Sequence, residues 1–156
     1  MGFALGLRAR AAEYRLVSFE SAGSTNAEAL TRMRAGERGP LWLATAHQTA
    51  GHGRRQRAWI SPPGNLACSI IEVLKTDHAG AATLGFAAGL ALETALRQVS
   101  GGTASFRLKW PNDVLANGAK LGGILIEAEA TPDGLAAVVG MGVNIVAAPE
   151  GTPYPA

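Results

Sequence analysis

The sequence is poor in the features that mark secreted and membrane-spanning proteins. It has one cysteine, Cys68, which cannot form an internal disulfide and therefore fits a reducing compartment. It has no run of about 18 or more uncharged apolar residues, the length that a membrane span needs. The N-terminal arginines follow a short apolar patch, whereas a secretory signal places positive charge first. We therefore expect a cytoplasmic protein with no membrane partner.

The chain also has little net positive charge, and part of its basic charge is concentrated in two short segments. The formal net charge is +2, too small to draw the whole chain to nucleic acid. No helix-turn-helix pattern precedes Arg15, and the most basic segment lacks interleaved aromatic residues. We expect no nucleic-acid partner. Four of the fourteen basic residues lie in or next to the two most motif-like segments: Arg54, Arg55, Arg57 and Lys109.

The apolar content is 47% of 156 residues, which suits one globular domain with a real core, spanning residues 1–156. The pattern predicts an α+β domain, a mainly antiparallel sheet packed by helices. A capping box at Thr25–Glu28 begins a helix that stops at Gly36, and Asn117-Gly118 and Thr131–Gly134 predict two hairpin turns. Strands are predicted at residues 14–20, 41–46, 66–74, 105–110, 113–116, 121–130 and 135–146.

The longest predicted helix runs from Ala79 to Ser100 and is apolar almost all round, so we expect it to be buried. Gly85 and Gly89 within it indicate close packing on a sheet. Cys68 lies in a predicted buried strand, which favours a packing role over a nucleophilic one.

The segment from Gln48 to Trp59, QTAGHGRRQRAW, has a chemical character of its own. It is too polar and too flexible to be predicted as a strand or a helix. Glycines allow the backbone to approach a ligand closely, and clustered guanidinium groups bind phosphate or carboxylate in bidentate fashion. The segment therefore indicates a loop that clamps an anion.

Three other motifs have both a structural and a functional interpretation. Ser24-Thr25-Asn26 lies at a helix start, where capping is the commoner role. The second motif, KWPND at residues 109–113, is followed by KLGGI at residues 120–124, so two lysines, a carboxylate and a carboxamide converge on one hairpin. The third is GMGVNI at residues 140–145, where strand glycines indicate close approach by a ligand or another backbone.

Taken together, the sequence resembles the catalytic domain of the biotin protein ligases (biotin–[acetyl-CoA-carboxylase] ligases). The shared features occur in the family's order over residues 21–145: the STN triplet, the glycine–arginine loop ending in tryptophan, KWPND, the K-L-x-G-I-L-x-E stretch and the G-x-G-x-N strand. The resemblance implies a class II aminoacyl-tRNA-synthetase-like fold of the biotin–lipoate ligase type.

The resemblance also implies a two-step reaction that uses ATP, biotin and Mg²⁺. Biotin carboxylate attacks the α-phosphate of ATP, giving biotinyl-5′-adenylate and pyrophosphate. A lysine amine of a biotin carboxyl carrier protein then attacks the adenylate, giving an amide and AMP. Neither step needs a protein nucleophile, which explains why the chain offers arginine, lysine and glycine instead of a Ser-His-Asp or Cys-His set. The resemblance also implies a homodimer as a candidate assembly, since antiparallel edge strands in such domains often pair.

Site residues follow from the resemblance by position. Lys120 and Arg54 are expected to be catalytic, with Lys120 bridging the biotin carboxylate and the α-phosphate. Asp113 is the candidate metal ligand, and ligand contact and structural support are equally open for Lys109. The expected biotin-binding residues are Ser24, Thr25, Asn26, Gln48, Gly51, His52, Gly53, Gly122 and Gly123. The expected ATP- or adenylate-binding residues are Arg54, Arg55, Arg57, Trp59, Asn112, Asp113, Lys120 and Asn144.

The chain departs from the family pattern in two respects. His52 stands where the family normally has arginine, so the clamp loses a permanent charge and a bidentate fork, and we expect weaker retention of the adenylate. Gln56 stands where many members have glycine, a change that the family tolerates. The resemblance further implies that the catalytic domain continues beyond the G-x-N strand, so we expect the chain to be C-terminally incomplete.

Two alternatives to a biotin ligase are left open. A lipoate–protein ligase or transferase shares the fold and the lysine but generally lacks the arginine–glycine loop. A fragment that binds biotin or adenylate without turnover is favoured by the short C-terminal part. A nucleic-acid-binding module that uses the basic loop is a weaker, third interpretation.

Overall fold

The computed structural model describes residues 2–150 and consists of one large sheet with helices on both faces. The helices are α1 (Leu7–Ala11), α2 (Thr25–Arg34), α3 (His78–Ala82) and α4 (Leu84–Ser100). The strands are β1 (Arg15–Phe19), β2 (Leu41–Thr45), β3 (Gly51–His52), β4 (Ala58–Trp59), β5 (Leu66–Leu74), β6 (Phe106–Lys109), β7 (Asp113–Ala116), β8 (Ala119–Thr131) and β9 (Gly134–Val143).

The large sheet has the order β1-β2-β5-β9-β8-β7-β6. Only the β1–β2 pair is parallel, and every other pair in this sheet is antiparallel. The predicted α+β class with a mainly antiparallel sheet is therefore confirmed. The β7-β8-β9 meander is confirmed as well, with Asn117 (φ 50°) and Gly118 (φ 89°) forming the first of its turns. Both residues need positive φ, the condition that favours Asn-Gly in two-residue hairpins.

Helix α2 packs on one face of the sheet and encloses the main core. Its Ala29 and Met33 meet Leu41, Leu43 and Ile71 of β2 and β5, together with Ala136 and Val138 of β9, and all seven side chains are buried. The helix begins differently from its prediction. Ser24, and not Thr25, is the N-cap, because the Ser24 Oγ accepts a hydrogen bond from the Ala27 N–H at 3.3 Å. Thr25 is thereby released for contacts in the site described below.

Helix α4 lies on the opposite face, over β6, β7 and β8. The packing role of its glycines is confirmed, since a Cβ on Gly85 would lie 3.6 Å from Ile126 and one on Gly89 would lie 3.5 Å from Leu108. The prediction that this helix is buried is wrong. Among its residues only Gly89 is buried, while the outward side chains of Phe86, Leu90 and Val99 are exposed.

The physical reason is that one side of α4 packs on the sheet through Gly85 and Gly89, while Phe86, Leu90 and Val99 project away from it and no other described element covers them. The predicted single helix from Ala79 is also divided at Thr83 into α3 and α4. Judged by length and composition alone, the stretch His78–Ser100 is apolar enough to cross a membrane, and little of it is buried.

The arginine–glycine segment contains more regular structure than predicted. Strands β3 and β4 form a second, two-stranded antiparallel sheet, pairing Gly51 with Trp59 and His52 with Ala58. A 3₁₀ turn at Arg54–Gln56 connects them. Because two-residue strands carry no apolar periodicity, the sequence pattern could not show them. The segment is a hairpin and is called the arginine hairpin below.

Candidate active site

A cavity of about 830 Å³ opens between the N-terminus of α2, the arginine hairpin and the strands β8 and β9. This volume is in the range of sites that hold drug-sized ligands. It is lined by Ser24, Thr25, Asn26, Gln48, His52, Gly53, Arg54, Arg55, Arg57, Ala58, Trp59, Ile60, Lys109, Trp110, Pro111, Asn112, Asp113, Lys120, Gly123, Ile124, Leu125, Gly140, Met141, Gly142, Asn144 and Pro149.

One end of the cavity is a buried polar cluster at the start of α2. The Gln48 Oε1 accepts the Thr25 backbone N–H at 2.9 Å and lies 3.3 Å from the Thr25 hydroxyl. Ser69 of β5 lies 2.8 Å from that hydroxyl and donates to the Asn26 Oδ1 at 2.6 Å. Each of these four side chains is 9% exposed or less. The cluster therefore holds its donors and acceptors in fixed positions, which is what directional recognition of a small polar ligand requires.

The floor of the cavity is made by glycines on adjacent strands. Gly142 pairs with Gly123 across β9 and β8. A Cβ on Gly142 would lie 2.5 Å from the indole of Trp59, and one on Gly123 would lie 3.3 Å from the same ring. A Cβ on Gly140 would lie 2.0 Å from the Asn26 Oδ1. The side chains of Trp59 and Asn26 can reach the sheet only because these three glycines lack a Cβ.

The arginine hairpin forms the cationic wall of the cavity. Its tip is closed by a hydrogen bond from the Gly53 N–H to the Arg57 carbonyl at 2.7 Å. Arg55 and Gln56 both have positive φ, 56° and 57°, the left-handed region that favours glycine. A glycine at position 56 would adopt this backbone conformation without the strain that a side chain imposes. The Arg54 guanidinium lies 3.5 Å from the Asn112 Oδ1, so the hairpin reaches across to the KWPND segment.

Lys120 lies on the far wall, beside a carboxylate and an indole. Its Nζ is 2.9 Å from the Asp113 Oδ1 and 5.6 Å from the centroid of the Trp59 ring. The lysine side chain is 22% exposed and that of Asp113 19%. A cation over an aromatic face and next to a carboxylate is held in place, and here it lines the cavity.

Two asparagines attach the remaining walls to the sheet. Asn112 makes two hydrogen bonds with Ile124 of β8. Its side-chain Nδ2 donates to the Ile124 carbonyl at 3.0 Å, and its backbone carbonyl accepts the Ile124 N–H at 2.8 Å. Asn144 donates its N–H to the Leu121 carbonyl at 2.8 Å, and its Oδ1 accepts from the buried Asn65 at 3.2 Å. The rest of the Asn65 carboxamide binds residues 146 and 147, so this one side chain fixes the segment after β9.

Most of the residues expected from the sequence line the same cavity. Gly51 and Gly122 are the exceptions. A Cβ on Gly51 would lie 2.3 Å from the Gln48 Nε2, and one on Gly122 would lie 2.8 Å from the Gly142 carbonyl, so both permit close packing behind the lining. Lys109, for which ligand contact and support were equally open, lines the cavity.

Several lining residues were absent from the expected set. Gly140, Met141 and Gly142 belong to a motif that indicated close approach, so a signal for them was present. Trp110 lines the mouth and is 76% exposed. Ser69 lies behind the lining and was not expected either, since it belongs to no motif and its part in the polar cluster arises from contacts between β5 and the start of α2.

The described residues 2–150 contain no group of three or more histidine, cysteine, aspartate or glutamate side chains arranged to hold a metal ion. Asp113, the expected metal ligand, binds Lys120 through one of its two carboxylate oxygens. Cys68 is buried, as predicted, and desolvation raises the pKa of its thiol to about 12. A thiol in that state is not a nucleophile at neutral pH, which confirms its packing role.

A family model for the biotin/lipoate A/B protein ligases matches residues 19–144 of this chain. The chain belongs to that family. It is 45% identical over 128 residues to the biotin–[acetyl-CoA-carboxylase] ligase of Paracoccus denitrificans, covering 81% of this chain and 53% of that protein. It is 40% identical over 132 residues to the enzyme of the same name from Mycobacterium tuberculosis, covering 82% and 48%.

Solved structures of the family share the fold. The Leishmania major biotin protein ligase in complex with biotinyl-5-AMP has a TM-score of 0.72 at 30% identity, covering 87% of this chain and 59% of that one. The Aquifex aeolicus ligase in complex with biotin and ATP has a TM-score of 0.67 at 29% identity, covering 87% and 55%. The predicted family and fold type are confirmed. The chain spans about half the length of the curated ligases that it matches.

Proposed function

We propose that this chain binds biotin and ATP in the cavity and forms biotinyl-5′-AMP, from which biotin passes to a lysine of a biotin carboxyl carrier protein. The observation that carries the proposal is the division of one cavity into two chemical halves. A buried, neutral polar cluster lies at one end, and a set of cationic and carboxamide groups lies at the other. The biotin ligases that the chain resembles, including one solved with biotin and ATP, support this choice of ligand.

The neutral end suits the urea group of biotin. Thr25, Asn26 and Gln48 hold hydroxyl and carboxamide groups in fixed positions, and Ser24 adds a hydroxyl at the same helix start. A urea presents two N–H donors and one carbonyl acceptor, so it needs both kinds of partner. Gly123 keeps the floor free of side-chain bulk beside the indole of Trp59, where the ring system of biotin would lie.

The cationic end suits the carboxylate and the phosphates. Lys120 would contact the biotin carboxylate and the α-phosphate, so that its charge offsets the negative charge that grows as the new P–O bond forms and the bond to pyrophosphate breaks. Arg54, Arg55 and Arg57 would close over the phosphates from the hairpin. Asn112 and Asn144, both hydrogen-bonded to their strands, would face the nucleotide.

In the second step the neutral amine of the carrier lysine attacks the carbonyl carbon of the adenylate. The C–N bond forms, the bond to the phosphate oxygen breaks, and AMP leaves with the electron pair while the amine loses a proton. The contribution of the site is to hold the mixed anhydride and to keep its phosphate neutralised.

We also propose that Mg²⁺ enters with ATP. Mg²⁺ is commonly held by one or two carboxylates plus substrate phosphates, and the single carboxylate of Asp113 fits that donor set. Its second oxygen, beyond the one bound to Lys120, would be the protein ligand. The ion would supply charge neutralisation on the phosphates.

The test is pyrophosphate release from the chain supplied with biotin, ATP and Mg²⁺, followed by transfer of biotin to an added carrier domain. Release with biotin but not with lipoate is the expected result. Release with lipoate instead would favour the lipoate-ligase alternative. Biotin binding without release would mean that this chain, about half the length of its curated relatives, binds without turnover. No binding of either acid would refute the proposal.

A further inference from the structure

Glu127 of β8 lies beside the polar cluster but outside the cavity lining, and it joins two of the cavity walls. Its Oε2 accepts a hydrogen bond from the Asn26 Nδ2 at 2.8 Å. The same oxygen lies 3.8 Å from the His52 Nε2 of the arginine hairpin. The glutamate is 101 residues away from Asn26 in the sequence, and its side chain is 29% exposed. One carboxylate therefore contacts both the start of α2 and strand β3.

The contact with Glu127 decides which way the Asn26 carboxamide points. The two ends of a carboxamide are nearly equal in shape, so only its partners can fix its orientation. An ionised carboxylate can only accept, so it requires the Asn26 NH₂ group on its side. The Ser69 hydroxyl donates to the Oδ1 at 2.6 Å on the other side. Gly140 lets the group lie flat on the sheet, since a Cβ there would be 2.0 Å from the Oδ1.

The orientation matters because Asn26 lines the cavity and is 4% exposed. After the bonds to Glu127 and Ser69 are made, one N–H and one oxygen lone pair of its carboxamide are left for a ligand. The orientation therefore determines which part of the ligand meets a donor and which meets an acceptor. If the carboxamide turned over, both would be exchanged and a ligand with the complementary pattern would be refused.

We propose that Glu127 is a positioning residue for ligand recognition, which acts by fixing the orientation of the Asn26 carboxamide. The part of this inference that concerns biotin rests on the function proposed above. The orientation itself does not. The Glu127 Oε2 also lies 3.8 Å from the His52 Nε2, so the same carboxylate lies next to strand β3.

The main variant is Glu127→Ala, and Glu129→Ala is the matched control. Glu129 lies two residues further along β8, on the same face of the sheet, and binds Arg34 instead of a cavity residue. Biotin affinity is measured by calorimetry on each folded variant. We expect Glu127→Ala to weaken biotin binding by about 10-fold, the value of one hydrogen bond to the ligand. Glu129→Ala should change it by less than about twofold, as expected for an exposed ion pair.

Glu127→Gln provides the conservative rescue. A glutamine can still accept from the Asn26 Nδ2 through its Oε1, so we expect it to restore most of the affinity that alanine loses. It also serves as the test variant if Glu127→Ala does not fold. Equal weakening by the Glu127→Ala and Glu129→Ala variants, or wild-type affinity in Glu127→Ala, would overturn the proposal.

A second measurement tests the orientation without any ligand. The Asn26 side-chain NH₂ gives two proton resonances in a ¹⁵N-correlated spectrum, assigned by their loss in Asn26→Ala. The proton bonded to Glu127 should lie downfield of its partner in the wild type, and the separation should collapse in Glu127→Ala but persist in Glu129→Ala. No change in Glu127→Ala would overturn the inference. Failure of the wild type to bind biotin, with this spectral result intact, would refute the proposed function and leave the orienting role of Glu127 standing.

Discussion

Replacing Gly140 by alanine tests how closely the start of α2 is fitted to the sheet. The new Cβ would lie 2.0 Å from the Asn26 Oδ1 and 2.7 Å from its Cγ, both nearer than a Cβ approaches other atoms in folded proteins, and 3.0 Å from its Nδ2, which is tighter than most such contacts. The asparagine is short and is held at both ends of its carboxamide, by Ser69 and by Glu127. It cannot move aside without breaking at least one of these hydrogen bonds.

The expected cost follows from those contacts. Overpacking a well-packed interior costs about 1–3 kcal/mol. Breaking one buried hydrogen bond adds about 1–3 kcal/mol, because a buried polar group loses its partner. We expect Gly140→Ala to lower the free energy of unfolding by about 2–4 kcal/mol, since one movement of Asn26 relieves part of the clash. Domains of this kind have about 5–15 kcal/mol in total, so the variant should still fold.

The assay is urea unfolding followed by circular dichroism, with Gly85→Ala as the control. In α4 the new Cβ would lie 3.6 Å from Ile126, an ordinary contact, and alanine favours a helix over glycine by about 0.5–1 kcal/mol. The control should therefore be neutral or stabilised. Combining Gly140→Ala with Asn26→Ala should recover more than 1 kcal/mol of the expected cost, because the obstacle is gone. A loss below about 0.5 kcal/mol for Gly140→Ala, or simple additivity in the double variant, would refute this reasoning.

Four further outcomes are expected. Lys120→Ala should slow adenylate formation, measured as pyrophosphate release, by about 100-fold or more through loss of charge stabilisation, with little change in urea unfolding; unchanged turnover would exclude the assigned role. His52→Arg should slow adenylate dissociation in a filter-binding assay, since it adds a permanent charge and a bidentate fork, and an unaltered rate would contradict this. Gln56→Gly should raise the free energy of unfolding by about 1 kcal/mol, because φ at position 56 is 57°; a loss of stability would show that the glutamine side chain matters more. Cys68 should resist a thiol reagent at pH 8 until the chain unfolds, and stability should fall as pH rises from about 9 toward about 12, since the unfolded thiol ionises first; rapid labelling of the folded protein would refute its burial.

The sheet could be predicted because its signals are local. Strand β5 matches its predicted bounds, Leu66–Leu74, and β7 matches Asp113–Ala116, since each is an apolar run closed by turn residues. Helix α4 shows that the local sequence pattern does not predict which side of a helix is buried. Its composition predicted burial on all sides, but only one side packs on the sheet, and Phe86, Leu90 and Val99 are left exposed. Which face meets the sheet is decided by tertiary packing, and composition alone does not record it.

The candidate site likewise has residues that the sequence predicts and contacts that it does not. Residues that would contact a ligand directly, such as Lys120 and Arg54, belong to motifs and could be expected from the sequence. The contacts of residues that act through another residue could not, even for Glu127, which ends the K-L-x-G-I-L-x-E motif. Ser69 and Glu127 reach Asn26 across 43 and 101 residues of sequence, and Asn65 reaches the segment after β9 across about 80. Such contacts exist only after the sheet has formed its register.

The cavity itself arises from a change of side-chain volume along one face of the sheet. Under α2 that face carries Leu43, Ile71 and Val138, all with no exposed surface, and helix and sheet pack with no room for a ligand. Two residues further along β9 comes Gly140 and then Gly142, on the same face of the strand. Large side chains at these two positions would fill the space with core, while glycines leave a floor on which Asn26 and Trp59 can rest. The same face is thus a hydrophobic core at one end and a ligand site at the other, and the glycines of β9 mark the boundary.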